Sequence, residues 1–173
     1  IELFWDTYKS SIGLGAGVIK EPLWLDLWSK LPFGWIELWG IQGKAQAGNP
    51  PQRVWRHDDE MSVQNFYGLP TTGVKAIAEK LEQLKQTGRL PDNLWANLWN
   101  SATTVKDQDK IDEFAMMVET IFPYVKVIVL NFSCPNQEEW DNSSQESRSL
   151  LRGIIGAAQA ANYRCATRNN TFR

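Results

Sequence analysis

The sequence predicts an α/β fold built as half of a (β/α)8 TIM-type barrel, and three observations carry that reading. Short apolar segments suited to strands alternate strictly with amphipathic, helix-like segments. The run Val127-Ile128-Val129-Leu130 is apolar on both faces, as parallel strands covered by helices are. The chain has 173 residues, room for about four strand–helix units where a complete barrel takes about 250 residues.

Taken in order, Ser11 to Ala16 is short, apolar and glycine-bounded, which fits a buried strand. Glu21 to Lys30 reads as a short helix with Pro22 in its first turn. Gly34 to Leu38 is the second strand. The stretch from Gln42 to Gly68, rich in Gly, Pro, Gln and Asn, is too long for a mere connection and suits a functional loop or a hairpin. Thr71 or Thr72 can cap a helix that places Val74, Ile77, Ala78, Leu81 and Leu84 on one face. Gly88 and Pro91 stop it. Leu94 to Leu98 is the third strand. Asp107 and Asp109 favour the start of a helix carrying Ile111, Phe114, Ala115, Val118 and Ile121. Val125 to Phe132 is the fourth strand, and Ser143-x-x-Glu146 is a capping box for a last helix through Leu150, Leu151, Ile154 and Ile155. Residues 1–164 form the expected half-barrel, and residues 165–173 a loosely ordered tail. Half a barrel leaves two unpaired strand edges and an open apolar interior that something must cover.

Composition narrows the function classes. Eighteen basic and twenty acidic side chains give a net charge of −2, which argues against a nucleic-acid binder. Hydrophobic residues make up 43%, enough for a core and too many for a disordered chain. Cys134 and Cys165 are too far apart for a CxxC metal site, and the single His57 has no ligand cluster around it, so no metal is expected. No apolar run is long enough to span a bilayer and the first residues lack a signal-peptide pattern. These features suggest a cytoplasmic chain, or one peripheral on a membrane-bound complex. Gly13-x-Gly15-x-Gly17 lacks the spacing of a dinucleotide loop. Asn131-Phe132-Ser133 is a glycosylation sequon only by pattern, beside a buried strand. Nine tryptophans are several times ordinary usage and serve cores and interfaces equally well.

Four stretches carry a resemblance to a known family. They are Gly13-Leu14-Gly15-Ala16-Gly17 with Lys20; Gln46 to Arg53, reading QAGNPPQR; Asn65 to Gly68 with Gly73; and Asn131-Phe132-Ser133-Cys134-Pro135-Asn136. In family order, over roughly residues 11–160, the chain resembles the N-terminal half of the dihydroorotate dehydrogenases, flavin-dependent (β/α)8-barrel enzymes of pyrimidine biosynthesis. The resemblance implies FMN held by Ala16, Gly17, Lys20, Asn97 and Asn131. It implies dihydroorotate contacts from Lys20, Asn65, Asn131 and Asn136, with Cys134 as catalytic base.

Departures cluster in the same loops. The family's Phe-Asp-Lys after Gly17 is Val18-Ile19-Lys20 here, which favours a solvated or carbonyl-bound Lys20. A small residue plus Thr or Ser becomes Trp39-Gly40. Asn-Arg-Met-Gly-Phe-Asn-Asn becomes Asn65 to Thr71, reading NFYGLPT. Asn-x-Gly-Lys becomes Asn97-Leu98-Trp99-Asn100, and a tryptophan there blocks the close approach a glycine allows. Gln137 to Trp140 replaces a Pro-Gly turn. The family's phosphate-holding loops belong to the second half of the barrel. Asn131 and Asn136 therefore read as satisfying loop backbone groups, and Cys134 as an inherited strand-end cysteine.

The expectation is a protein without oxidoreductase activity and without a cofactor, serving as a structural or regulatory subunit of a larger complex. Its partner would be another protein chain covering the strand edges or a tryptophan face. Trp39, Trp99 and Trp140 follow strand ends, and Trp24 and Trp28 share one helical face, which makes all five interface candidates. The alternative is an FMN-dependent dihydroorotate dehydrogenase, or a fragment of one, working through Cys134.

Overall fold

A computed structural model describes residues 1–3, 6–132 and 144–168. Strands β1 (Glu2–Leu3) and β2 (Asp6–Thr7) form a small antiparallel hairpin, which the sequence reading did not anticipate because two-residue strands carry no periodicity. Then follow β3 (Leu14–Ile19), α1 (Leu25–Trp28), β4 (Ile36–Ile41), β5 (Val54–His57) and β6 (Ser62–Asn65). The chain continues with α2 (Val74–Gln86), β7 (Leu94–Leu98), α3 (Asp107–Ile121), β8 (Val127–Leu130) and α4 (Gln145–Arg168).

β3, β4, β7 and β8 lie side by side in that order, all parallel, as a partial barrel. The long excursion after β4 contains the antiparallel β5–β6 hairpin. One face of the sheet carries Ile36 and Leu38 of β4 with Leu94, Ala96 and Leu98 of β7. It packs on Val74, Ile77 and Leu81 of α2, Phe114, Met117, Val118 and Ile121 of α3, and Ile154 of α4. The alternation of side chains along a strand puts Trp35, Glu37 and Trp39, and Trp95, Asn97 and Trp99, on the opposite, inner face.

Several boundaries differ from expectation. The first strand begins at Leu14, three residues late, although bonding to the next strand's lead-in already starts at Ile12 (Gly34 N–H to Ile12 O, 2.8 Å; Leu14 N–H to Trp35 O, 2.9 Å). The helix expected over Glu21–Lys30 shrinks to Leu25–Trp28, since Trp24 at φ 63° cannot join it. α2 is capped at Gly73 rather than by a threonine side chain. Thr71 Oγ1 accepts the Gly73 N–H at 3.2 Å, and Glu21 accepts the Thr72 N–H at 3.0 Å and pairs with Lys80. Ser143 of the expected capping box lies outside the described residues; Ser144 Oγ accepts the Ser147 N–H at 3.1 Å instead. α4 runs to Arg168, past the boundary expected at 164, with Cys165 and Ala166 buried. Burial pushes the Cys165 thiol up from its ordinary value.

The interior is filled over one strand only, β3 being largely exposed and β8 half-buried. All five residues of β7 are buried, on both faces. At the N-terminal ends of the strands Trp35 stacks on Trp95 (5.0 Å, 16°), and Tyr8 meets both edge-on at 6.1 Å. Lys126 ties that group to the N-terminal hairpin, 2.9 Å from Asp6 and 4.8 Å over the Tyr8 ring. Among the described residues, no helix is long and apolar enough to cross a membrane. Trp95→Ala is expected to cost about 3–5 kcal/mol, the range for deleting a buried indole; urea unfolding at constant m-value measures it.

Candidate functional site

The C-terminal ends of the four parallel strands gather the polar residues, where barrel folds place their chemistry. Asn97 lies near the end of β7 and Asn131 just after β8, and Glu37, the second residue of β4, reaches Asn97 from nearer the start of its strand. Asn131 Nδ2 donates to Asn97 Oδ1 at 3.1 Å, Asn97 Nδ2 donates to Glu37 Oε1 at 2.8 Å, and the Ala16 N–H donates to Glu37 Oε2 at 3.3 Å. This hydrogen-bonded chain crosses all four strands. Asn97 thus turns its NH2 to Glu37 of β4 and its carbonyl to Asn131 beyond β8.

Beside it lies an aromatic group. The Trp39 ring presses on Gly17, where a Cβ would meet ring carbons at 3.1 and 3.2 Å, and Gly17 has φ 113°. Tyr67, just after the β5–β6 hairpin, meets Trp39 edge-on at 6.0 Å and 83°. The Lys20 ammonium sits 3.2 Å from the Tyr67 centroid and 5.2 Å from that of Trp39. Trp39 Nε1 is buried with no hydrogen-bond partner among the described residues.

The loops beneath are firmly tied. Buried Glu113 of α3 accepts the Ser101 N–H at 3.1 Å and the Ser101 hydroxyl, and Ser101 Oγ accepts the Lys44 N–H at 2.9 Å. Gly43 passes so close that a Cβ would sit 2.2 Å from Glu113 Oε1. Gln46 and Thr71 exchange backbone hydrogen bonds at 2.8 and 2.9 Å, which fixes the loop bearing Tyr67.

The structure thus brings together Ala16, Gly17, Lys20, Asn97 and Asn131. Asn65 stands apart, exposed at the end of the hairpin and in register with Val54. Cys134, Asn136 and Trp140 lie outside the described residues. Lys20 is half-buried, with its ammonium over the Tyr67 and Trp39 rings. Asn131 bonds the Asn97 side chain, a role the loop-backbone reading missed. Trp39 lies within β4 rather than after it, and Trp99 is only 2% exposed, so neither presents an open face. Trp28 packs half-buried on the core, while Trp24 is 63% exposed. Among the described residues no group of three or more His, Cys, Asp or Glu side chains could hold a metal.

Glu37 is the residue that sequence reasoning overlooked. Its signal was parity: it alternates with Trp35 and Trp39 and so faces inward with them.

Four parallel strands alternating with helices define a class, the TIM-barrel-type α/β proteins, of which this chain forms a partial barrel. The sequence profile described as "Dihydroorotate dehydrogenase" matches residues 1–166, and the chain belongs to that family. It is 32% identical over 133 residues to the dihydroorotate dehydrogenase (quinone) of Nautilia profundicola, covering 76% of this chain and 36% of that protein. It is 30% identical over 164 residues to that of Acidithiobacillus ferrooxidans, covering 94% and 44%. The ligand-free DHODH of Eimeria tenella superposes with a TM-score of 0.73 at 26% identity, over 88% of this chain and 42% of that one. Its complex with ferulenol gives 0.66, over 88% and 40%. The chain therefore spans less than half the length of these relatives.

Glu37→Ala leaves the Asn97 amide, only 5% exposed, without its acceptor. The expected loss is about 1–3 kcal/mol, with Glu37→Gln losing less; chemical denaturation of both variants measures the difference.

Proposed function

We propose that this chain is a dihydroorotate dehydrogenase-family protein that does not work as an oxidoreductase and serves as a structural or regulatory subunit of a larger complex. The observation that carries this reading is the Trp39 ring lying on Gly17. The resemblance assigns that glycine to the flavin, and a flavin ring needs the same surface. The other assigned groups are also engaged: Lys20 with Tyr67 and Trp39, and Asn97 with Glu37 and Asn131. These residues do not fit an isoalloxazine ring.

The partner would be another protein chain. β3 and β8 are the edge strands of the described sheet, and a strand edge is a pairing template. Leu23, Trp24 and Leu27 are 64%, 63% and 56% exposed around α1, and clustered exposed apolar side chains mark interaction surfaces.

A second reading is supported by the polar set. Lys20, Asn97 and Asn131 keep the family's residue types on one face, which favours an FMN-dependent dihydroorotate dehydrogenase, or part of one, with Cys134 as base. The visible absorption spectrum of the natively purified protein separates the two. The first reading expects a colourless protein; flavin in near one-to-one amount would overturn it and favour the second.

A further inference from the structure

We propose that the corner between Trp39 and Tyr67 is an ammonium-binding cage, filled in this state by the chain's own Lys20. Once Lys20 leaves, the cage takes a quaternary ammonium group from a small ligand. The proposal rests on the reading that this part of the sheet face does not hold a flavin.

The two rings stand at 83° with centroids 6.0 Å apart, so one cation can reach both π-systems at once. Lys20 does so, at 3.2 Å from Tyr67 and 5.2 Å from Trp39, inside the roughly 6 Å range of cation–π attraction. Among the described residues Lys20 has no salt-bridge partner. The rings are what hold its charge.

The walls are set before any ligand arrives. Trp39 is backed by Gly17, whose missing side chain lets the indole sit flush. The Tyr67 carbonyl accepts the Asn49 N–H at 3.0 Å, and the carbonyl of Gly68 accepts from the Gln46 side chain. Lys20, Trp39 and Tyr67 are each half-buried, so solvent reaches the corner. Lys20 itself is on a flexible four-carbon stem. A trimethylammonium group is larger and cannot donate hydrogen bonds to water, and paired aromatic faces are how proteins recognise it. The site therefore suits choline-type or methylated-amine ligands in competition with Lys20.

The test is a titration of choline, with its neutral isostere 3,3-dimethylbutanol as control, into wild-type protein, Lys20→Met and Lys20→Gln. Binding is read from the indole N–H resonance of Trp39. Both variants are checked for native melting, so that one misfolded protein does not decide the outcome. The expected result is saturable choline binding in the Lys20 variants, about tenfold tighter than in wild type and about tenfold tighter than the isostere. Adding Tyr67→Ala should abolish it. Equal responses to choline and the isostere, or no gain on removing Lys20, would overturn the proposal. Visible absorbance reads the flavin question separately, so the two failures are distinguishable.

Discussion

The inner face of a parallel sheet has to be covered, and in this chain its own large side chains cover much of it. β7 is the strand on which the arrangement depends. Trp95 and Asn97 of β7 and Trp99 just after it are all buried, with four strands in the sheet of the described residues. At the N-terminal end the cover is Trp35 stacked on Trp95, with Tyr8 brought in by the hairpin. At the other end it is Trp39, laid on Gly17. Each indole replaces water over a large apolar area. The high tryptophan content is in good part an answer to that geometric demand.

Between the two aromatic groups runs the polar chain from Ala16 through Glu37 and Asn97 to Asn131. A buried amide between indoles is costly unless both its ends are bonded. Glu37 meets that need by accepting from β3 and β7 together, so the four strands are joined on the inner face by side chains as well as by the backbone ladder. Glu113 does similar work below, where it holds the loop after β7 close to the one after β4. The strand ends are therefore rigid. This stiffness is what keeps the Trp39 and Tyr67 rings at a fixed angle around Lys20.

Much of the fold was legible because it depends on local periodicity. Leu94–Leu98 and Asp107–Ile121 appear where the pattern puts them, since a short, largely apolar strand and an amphipathic helix are well marked in sequence. The hairpin inside the long excursion was legible as an alternative to a loop. Boundaries were less legible: β3 begins at Leu14, three residues late, and the left-handed Trp24 cut α1 to one turn. Of the candidate site, the strand-end position of Asn97 and Asn131 followed from resemblance and topology. Their pairing, and the hold of two rings on Lys20, did not, because side-chain partners between distant segments leave no periodic trace. Glu37 was passed over although its alternation with Trp35 and Trp39 places it on the inner face.

The central claim is that the strand-end face is filled by Trp39, with Lys20 drawn onto Tyr67. Ring currents report this directly. In a proton NMR spectrum of the folded protein, the account predicts that the α protons of Gly17 and the ε-methylene protons of Lys20 are both shifted well upfield. It also predicts nuclear Overhauser contacts from Gly17 to the Trp39 ring. Resonances at unfolded-peptide positions with no such contacts would mean that the cradle is open, and would contradict the account.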